Sequence, residues 1–254
     1  MKIAAIRTIL LCLGLAGLSA CAGAPTETPQ DYASVVDGDI TLPEVPAQYL
    51  EEPNRRATVD YTGTENPGTI VVDPYAKFLY YVEEDGQATR YPVAVGREGR
   101  GFKGNATIRR VEEWPGWTPT ANMLRTEPEV YGPFARGIPG GVASPLGARA
   151  LYLYRGSKDT RYRIHGTNDM ESIGNASSAG CIRMFNQDVI HLAERAELGT
   201  AVVVRTYDES VELEGMEMAN RGFDIPPKIV DPEVIYAAVE AEELRRQEAA
   251  EAEE

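Results

Sequence analysis

Two residues able to do nucleophilic chemistry together stand in one stretch, residues 162–184, with the sequence YRIHGTNDMESIGNASSAGCIRM. His165 is one of two histidines in the chain, and Cys181 is the only one of three cysteines outside the N-terminal apolar segment. A thiol needs a base to become a thiolate near neutral pH, and imidazole has the unperturbed pKa for that work. They stand 16 positions apart, so only the fold can bring them together. Ser177, Ser178, Ala179 and Gly180 precede the cysteine. Glycine at that place lets the backbone approach a substrate and turn N–H groups toward a developing oxyanion, so Gly180 is assigned to an oxyanion region. Alone, either residue reads as ordinary: a small core cysteine, or a histidine satisfied by packing. Together they point to thiol acyl transfer or hydrolysis.

Several ordered motifs surround the pair. Ile164-His165-Gly166-Thr167-Asn168 leads to Ser178-Ala179-Gly180-Cys181-Ile182-Arg183. Upstream stand Ser144-Pro145-Leu146-Gly147-Ala148-Arg149-Ala150-Leu151 and Trp117-Thr118-Pro119-Thr120. This arrangement resembles the L,D-transpeptidases with the YkuD-type catalytic domain, over residues 67–206. The resemblance implies a mainly β fold, a β-sandwich with one main helix, with the cysteine and histidine near one sheet end. It implies Cys181 as nucleophile, His165 as proton donor and acceptor, and the Gly166 carbonyl as the group that orients the imidazole. The substrate implied is a peptidoglycan stem peptide, with no metal or organic cofactor. Arg183, Ser178, Tyr152 and Asn168 are the candidate substrate-binding residues; Arg183 serves equally well as a structural ion pair. One position departs from the family pattern: Ala179 stands where the family has a second histidine.

The formal charge is −14, unevenly spread: residues 207–254 carry −11 of it. Such a surface argues against a nucleic-acid partner. Residues 1–21 read as an export signal, with Lys2 and Arg7 ahead of an apolar core too short for a good membrane span. Leu18-Ser19-Ala20-Cys21 resembles a bacterial lipobox, with Cys21 the lipidated residue. The alternative is an ordinary secretory signal cut near Ala20 or Ala22. The favoured expectation is a periplasmic lipoprotein anchored to the envelope membrane, the outer one by preference. Residues 22–66, rich in proline, threonine and acids, read as a linker, with docking of residues 59–61 as an added strand the alternative.

Strand patterns begin at Thr69 and recur at residues 77–82, 88–95, 107–111, 149–154, 162–164 and 201–204. Asp85-Gly86 marks a hairpin turn. Residues 114–147 form a long loop-rich span of the kind that builds lids and binding walls, with Trp114, Trp117, Tyr131 and Phe134 read as packing. Residues 186–198 read as the main helix, capped by Asn186 and stopped by Gly199, with His191 in a packing role. Residues 207–254 read as an acidic tail, helical after Asp231-Pro232 and largely solvated.

The same residues admit two rivals. Water could resolve the acyl-enzyme, giving a carboxypeptidase or endopeptidase. The Ala179 departure admits a non-catalytic wall-binding lipoprotein, against which stands the retained His165–Cys181 pair.

Overall fold

The structure, a computed structural model, describes residues 27–97 and 101–252. The signal segment and Cys21 lie outside the described residues. The strands are β1 (Val35–Asp37), β2 (Ile40–Leu42), β3 (Ala57–Asp60), β4 (Ile70–Asp73), β5 (Phe78–Val82), β6 (Gln87–Pro92), β7 (Val95–Gly96), β8 (Ala106–Glu113), β9 (Arg149–Arg155), β10 (Lys158–His165), β11 (Ala176–Ser178), β12 (Ile182–Arg183) and β13 (Ala201–Val204). The helices are α1 (Ala121–Thr126), α2 (Pro128–Tyr131), α3 (Asn186–Ala193), α4 (Tyr207–Glu214) and α5 (Pro232–Ala252).

Nine strands hydrogen-bond in the order β12-β10-β9-β8-β13-β4-β5-β6-β3. Burial on both faces explains the continuous apolar run of β4. Ile70, Val72 and Leu79 face one core; Val71, Phe78 and Tyr80 face another. The first core also holds Tyr91 of β6, Ile182 of β12, and Val189 and Leu192 of α3. Those two strands lie near opposite ends of the order, so one sheet curls its inner face around α3. The expected sandwich is thus one sheet folded over, with hydrogen bonding continuous across it. Asp85 and Gly86 take positive φ, +57° and +70°, and make the turn that lets β5 and β6 pair.

Three expectations are corrected. The helix α3 stops at Ala193, and Leu198 beyond it is exposed. Asn186 is not its cap: Phe185 holds that position, and the Asn186 side chain points elsewhere. The proline-rich segment from residue 27 onward is not a free tether. Tyr32, Leu42, Val45 and Leu50 are buried, and β3 pairs with β6 at the sheet edge. Asp37 accepts two bonds from Arg149 and one from the Trp114 indole. Average composition concealed this, because apolar residues spaced singly among prolines can each fill a separate pocket.

The tail also docks. Thr206 and Glu209 form a reciprocal capping box for α4, a pattern present in the sequence. On α5 the apolar side is indeed thin, with Val234 and Leu244 exposed. The contact is polar instead. Glu242 is 6% exposed and accepts from the Val142 N–H at 2.9 Å and from Arg246 at 2.6 Å. The Tyr236 hydroxyl donates to the Gly137 carbonyl at 3.1 Å, and its ring meets Phe134. Hydrophobic periodicity is blind to a helix held this way. Replacing Glu242 with Ala strands a half-buried N–H and unpairs Arg246, so we expect a loss of about 1–3 kcal/mol. Urea melts of the two proteins measure it, and equal midpoints would show that α5 contributes no stability there.

Candidate active site

His165 ends β10 and Cys181 immediately precedes β12, which lies parallel to β10 as the outermost strand. The register sets Ile164 beside Ile182 and His165 beside Arg183. Ile164 and Ile182 face the inner core. Side chains alternate along a strand, so His165, Cys181 and Arg183 share the outer face at the sheet edge. That short β12 exists because Ile182 and Met184 bury while the residues between and before them do not.

His165 is 4% exposed. Its Nδ1 donates to the Gly166 carbonyl at 2.5 Å. A carbonyl can only accept, so Nδ1 carries the hydrogen and Nε2 keeps a lone pair. Burial, with the Arg183 and Arg163 guanidiniums adding to it, pushes the imidazole down to about 3, against the pull of the Gly166 carbonyl. Cys181 is partly exposed, and its Sγ lies 4.0 Å from the Arg161 carbonyl. Desolvation of the sulfur pushes the thiol up, while the Arg163 N–H and the Arg163 and Arg183 guanidiniums pull it down. Both groups therefore rest neutral at pH 7, and ionising the pair requires proton transfer during reaction.

The histidine leaves a mark on stability. In the unfolded chain it binds a proton below its ordinary value near 6.5, whereas the folded form does so only near pH 3. As pH falls through that window the unfolded state gains protons first, so stability is lost, by up to about 1.4 kcal/mol per pH unit. Above pH 6.5 there is no such term. We expect His165→Gln to melt less pH-dependently than wild type between pH 6 and 4. Parallel melting curves in that range would contradict it.

The loop before the cysteine is closed on itself. The Ser178 hydroxyl donates to the Cys181 carbonyl at 2.6 Å and accepts the Gly180 N–H at 3.0 Å. Gly180 has φ +143°, a conformation suited to glycine. Ser178 is buried and committed to this loop, and the Gly180 N–H is spoken for, which corrects the expectations of a substrate contact and a free oxyanion donor there. Ala179 is exposed, so the departing position faces solvent.

Tyr152 lies on the same outer face but is covered. Arg110 and Arg163 stack on its two sides at 3.7 and 4.1 Å, and its hydroxyl donates to Glu112 at 2.6 Å. Its role is packing. Asn168 is exposed and donates to the Ala143 carbonyl at 2.8 Å. Arg183 pairs with Asp169 at 3.3 Å, and Asp169 also takes Lys228 at 3.2 Å. His191 sits against Tyr91, Nδ1 to hydroxyl 2.7 Å, as a packing residue.

The residue that sequence reasoning missed is Asn186. Its Oδ1 accepts the Ala148 N–H at 2.9 Å and its Nδ2 donates to the Thr167 carbonyl at 3.1 Å. It thereby ties the turn at Gly147 to the turn that follows His165. A Cβ on either Gly147 or Gly166 would collide with Asn186 Oδ1, which is why both motifs carry glycine. An asparagine five residues beyond the cysteine, at a helix start, was the available signal; it was read as a cap.

A curled, mainly β sheet with a histidine ending the second strand and a cysteine just before the edge strand defines a class of cysteine-bearing β domains. The family model of the L,D-transpeptidase catalytic domain (YkuD) matches residues 67–204, more than half of the chain. The chain belongs to the L,D-transpeptidase catalytic-domain family. The "Probable L,D-transpeptidase ErfK/SrfK" of Escherichia coli K12 is 32% identical over 168 residues, 65% of this chain and 51% of that protein. The chain thus spans about half the length of that relative. A "Putative L,D-transpeptidase in ATP synthase subunits region ORF 5" from Fuscovulum blasticum is 30% identical over 196 residues, 74% of this chain and 93% of that one. A solved structure from Brucella melitensis, described as a "Probable carnitine operon oxidoreductase caia", is 49% identical over 62% of this chain and 98% of its own. The TM-score of that likeness is 0.41.

Proposed function

We propose that this protein forms a cysteinyl acyl-enzyme on a peptidoglycan stem tetrapeptide and passes the acyl group to an amine. The observation that carries the reading is the His165 Nδ1–Gly166 carbonyl bond, which leaves Nε2 as a base on the same sheet face as Cys181. In this scheme Nε2 takes the thiol proton as Sγ attacks the carbonyl of the third stem residue. Charge separation is opposed by burial in the resting pair, so substrate must favour it. With the Gly180 N–H bound to Ser178, we assign oxyanion stabilisation to the Cys181 N–H, worth ~3 kcal/mol for one well-placed donor. Terminal D-alanine leaves with the proton held on His165. An acceptor amine then gives up a proton to His165 and resolves the thioester, restoring the thiol. Arg183, paired with Asp169, adds positive potential beside both groups.

The location proposed is the periplasm, with Cys21 as a lipid anchor in the envelope membrane, supported by the lipobox-like run ending there. Cys21→Ala is expected to yield a soluble exported protein; continued partition with membranes would remove the anchor. For the activity, the test is purified tetrapeptide muropeptides with products identified by mass spectrometry. Cross-linked dimers support transfer. Trimmed monomers favour hydrolysis, and unchanged substrate the binding protein.

A further inference from the structure

Part of the chain beyond the matched residues 67–204 runs along the active site. Residues 223–225 pair with β11, the strand that leads into the nucleophile loop. The Ala176 N–H donates to the Phe223 carbonyl at 2.9 Å, and the Ile225 N–H to the Ala176 carbonyl at 2.8 Å. Lys228 then reaches the turn that follows His165. Farther on, Tyr236 and Glu242 of α5 bind Gly137 and Val142 of the loop-rich span.

Lys228 enters a chain of alternating charges. Its Nζ donates to Glu171 at 2.5 Å and to Asp169 Oδ1 at 3.2 Å. The other oxygen of Asp169, Oδ2, accepts from Arg183 Nη1 at 3.3 Å. Two cations thus share one carboxylate. The backbone of Arg183 is fixed on both sides, by β10 and by reciprocal bonds with Ala94 at 2.8 and 2.9 Å. Its side chain is what Asp169 holds. The Arg183 guanidinium acts on both reacting groups, favouring the thiolate of Cys181 and the neutral imidazole of His165.

The sharing has an electrostatic consequence. A carboxylate with one guanidinium to itself takes the bidentate geometry and neutralises it. Here Lys228 occupies one oxygen, and Arg183 meets the other end-on through one nitrogen. The positive field of Arg183 toward the sulfur is therefore not cancelled. Without Lys228, the negative charge of Asp169 and Glu171 would be left to Arg183 alone. The Arg183 and Asp169 side chains are 21% and 26% exposed, so solvent screens this network only in part.

We propose that Lys228 is a positioning residue for the thiol chemistry: by sharing Asp169 it keeps the charge of Arg183 directed at Cys181. The use of that thiol rests on the reading above, whereas the charge acting on it can be measured without any peptide.

The test is the rate at which iodoacetamide, an uncharged probe, alkylates Cys181 in the full chain, followed by peptide mass between about pH 7 and 10. Glu171, and after it Asp169, hold Lys228 above its ordinary value, so it stays charged in that range. The other charged groups acting on the sulfur, Arg163 and Asp159, are left intact. Lys228→Met should move the rate profile up by about half a pH unit, roughly 3-fold slower alkylation at a fixed pH. Lys228→Arg keeps the charge and should restore the wild-type profile. Asp169→Asn frees Arg183 and should move the profile down. Added to Asp169→Asn, Lys228→Met should do little more, because the carboxylate it acts through is gone. A segment that merely loosened would move both single variants the same way. Shifts of one sign, shifts that add in the double variant, or an unmoved profile in Lys228→Met would overturn the proposal. Opposed shifts together with no products from wild type and tetrapeptide would leave Lys228 in its role and sink the transferase reading. Cross-linked products with an unmoved profile would do the reverse.

Discussion

Cys181→Ala is expected to remove turnover of stem tetrapeptide by at least about 10³-fold, with melting temperature close to that of wild type. The sulfur is held weakly, 4.0 Å from the Arg161 carbonyl with the Arg163 N–H beside it, and lies at a partly exposed edge, so little packing is lost with it. The chemistry, by contrast, has no second thiol to use: among the described residues Cys181 is the free cysteine. Ser in its place should be nearly as poor, because a hydroxyl beside an imidazole held near pKa 3 has no strong base to activate it. His165→Gln should approach the same loss, since it keeps a polar side chain but no basic nitrogen. Residual activity of Cys181→Ala within tenfold of wild type would end the covalent mechanism.

Asn186→Ala should cost the most stability of any single polar change near the site, about 2–4 kcal/mol. It leaves the buried Ala148 N–H and the Thr167 carbonyl without partners and opens a void between two glycine turns. The effect should reach the chemistry through geometry. Gly166 lies against Asn186, and the Gly166 carbonyl holds the imidazole. If that turn relaxes, the tautomer with a free Nε2 is no longer enforced. Asn186→Asp keeps the acceptor for Ala148 but loses the donor to Thr167, so it should fall between the two. Two readouts separate positioning from plain destabilisation: the nitrogen shifts of His165 by NMR, and kcat at a temperature where both variants are folded. A variant as stable and as active as wild type, with unchanged His165 shifts, would remove Asn186 from the site.

Parts of this were legible in the chain. The order of His165, Gly166, Gly180, Cys181 and Arg183 is a local pattern, and local patterns survive being read in one dimension. So do the strands β4, β5 and β13, whose β-branched and aromatic runs state their preference directly, and the Asp85-Gly86 turn. The start of α5 was visible in Asp231, whose carboxylate accepts the Glu233 N–H at 2.9 Å.

The tertiary structure decided the rest. That His165 and Cys181 share a face depends on the parallel register of β10 with β12, a pairing of non-local residues with no signature in either strand. Tyr152 was a candidate for substrate binding, but two arginines brought by neighbouring strands cover it. Asn186 looked like a cap because it begins a helix; only the approach of two distant glycine turns gives it a different use. Residues 27–66 and α5 looked solvated because each offers few apolar side chains, yet Tyr32, Asp37 and Glu242 dock through buried hydrogen bonds and ion pairs. Sequence carries the identity of each polar group. Which partner satisfies it is a property of the folded neighbourhood, because a hydrogen bond is fixed by three-dimensional proximity and leaves no period along the chain.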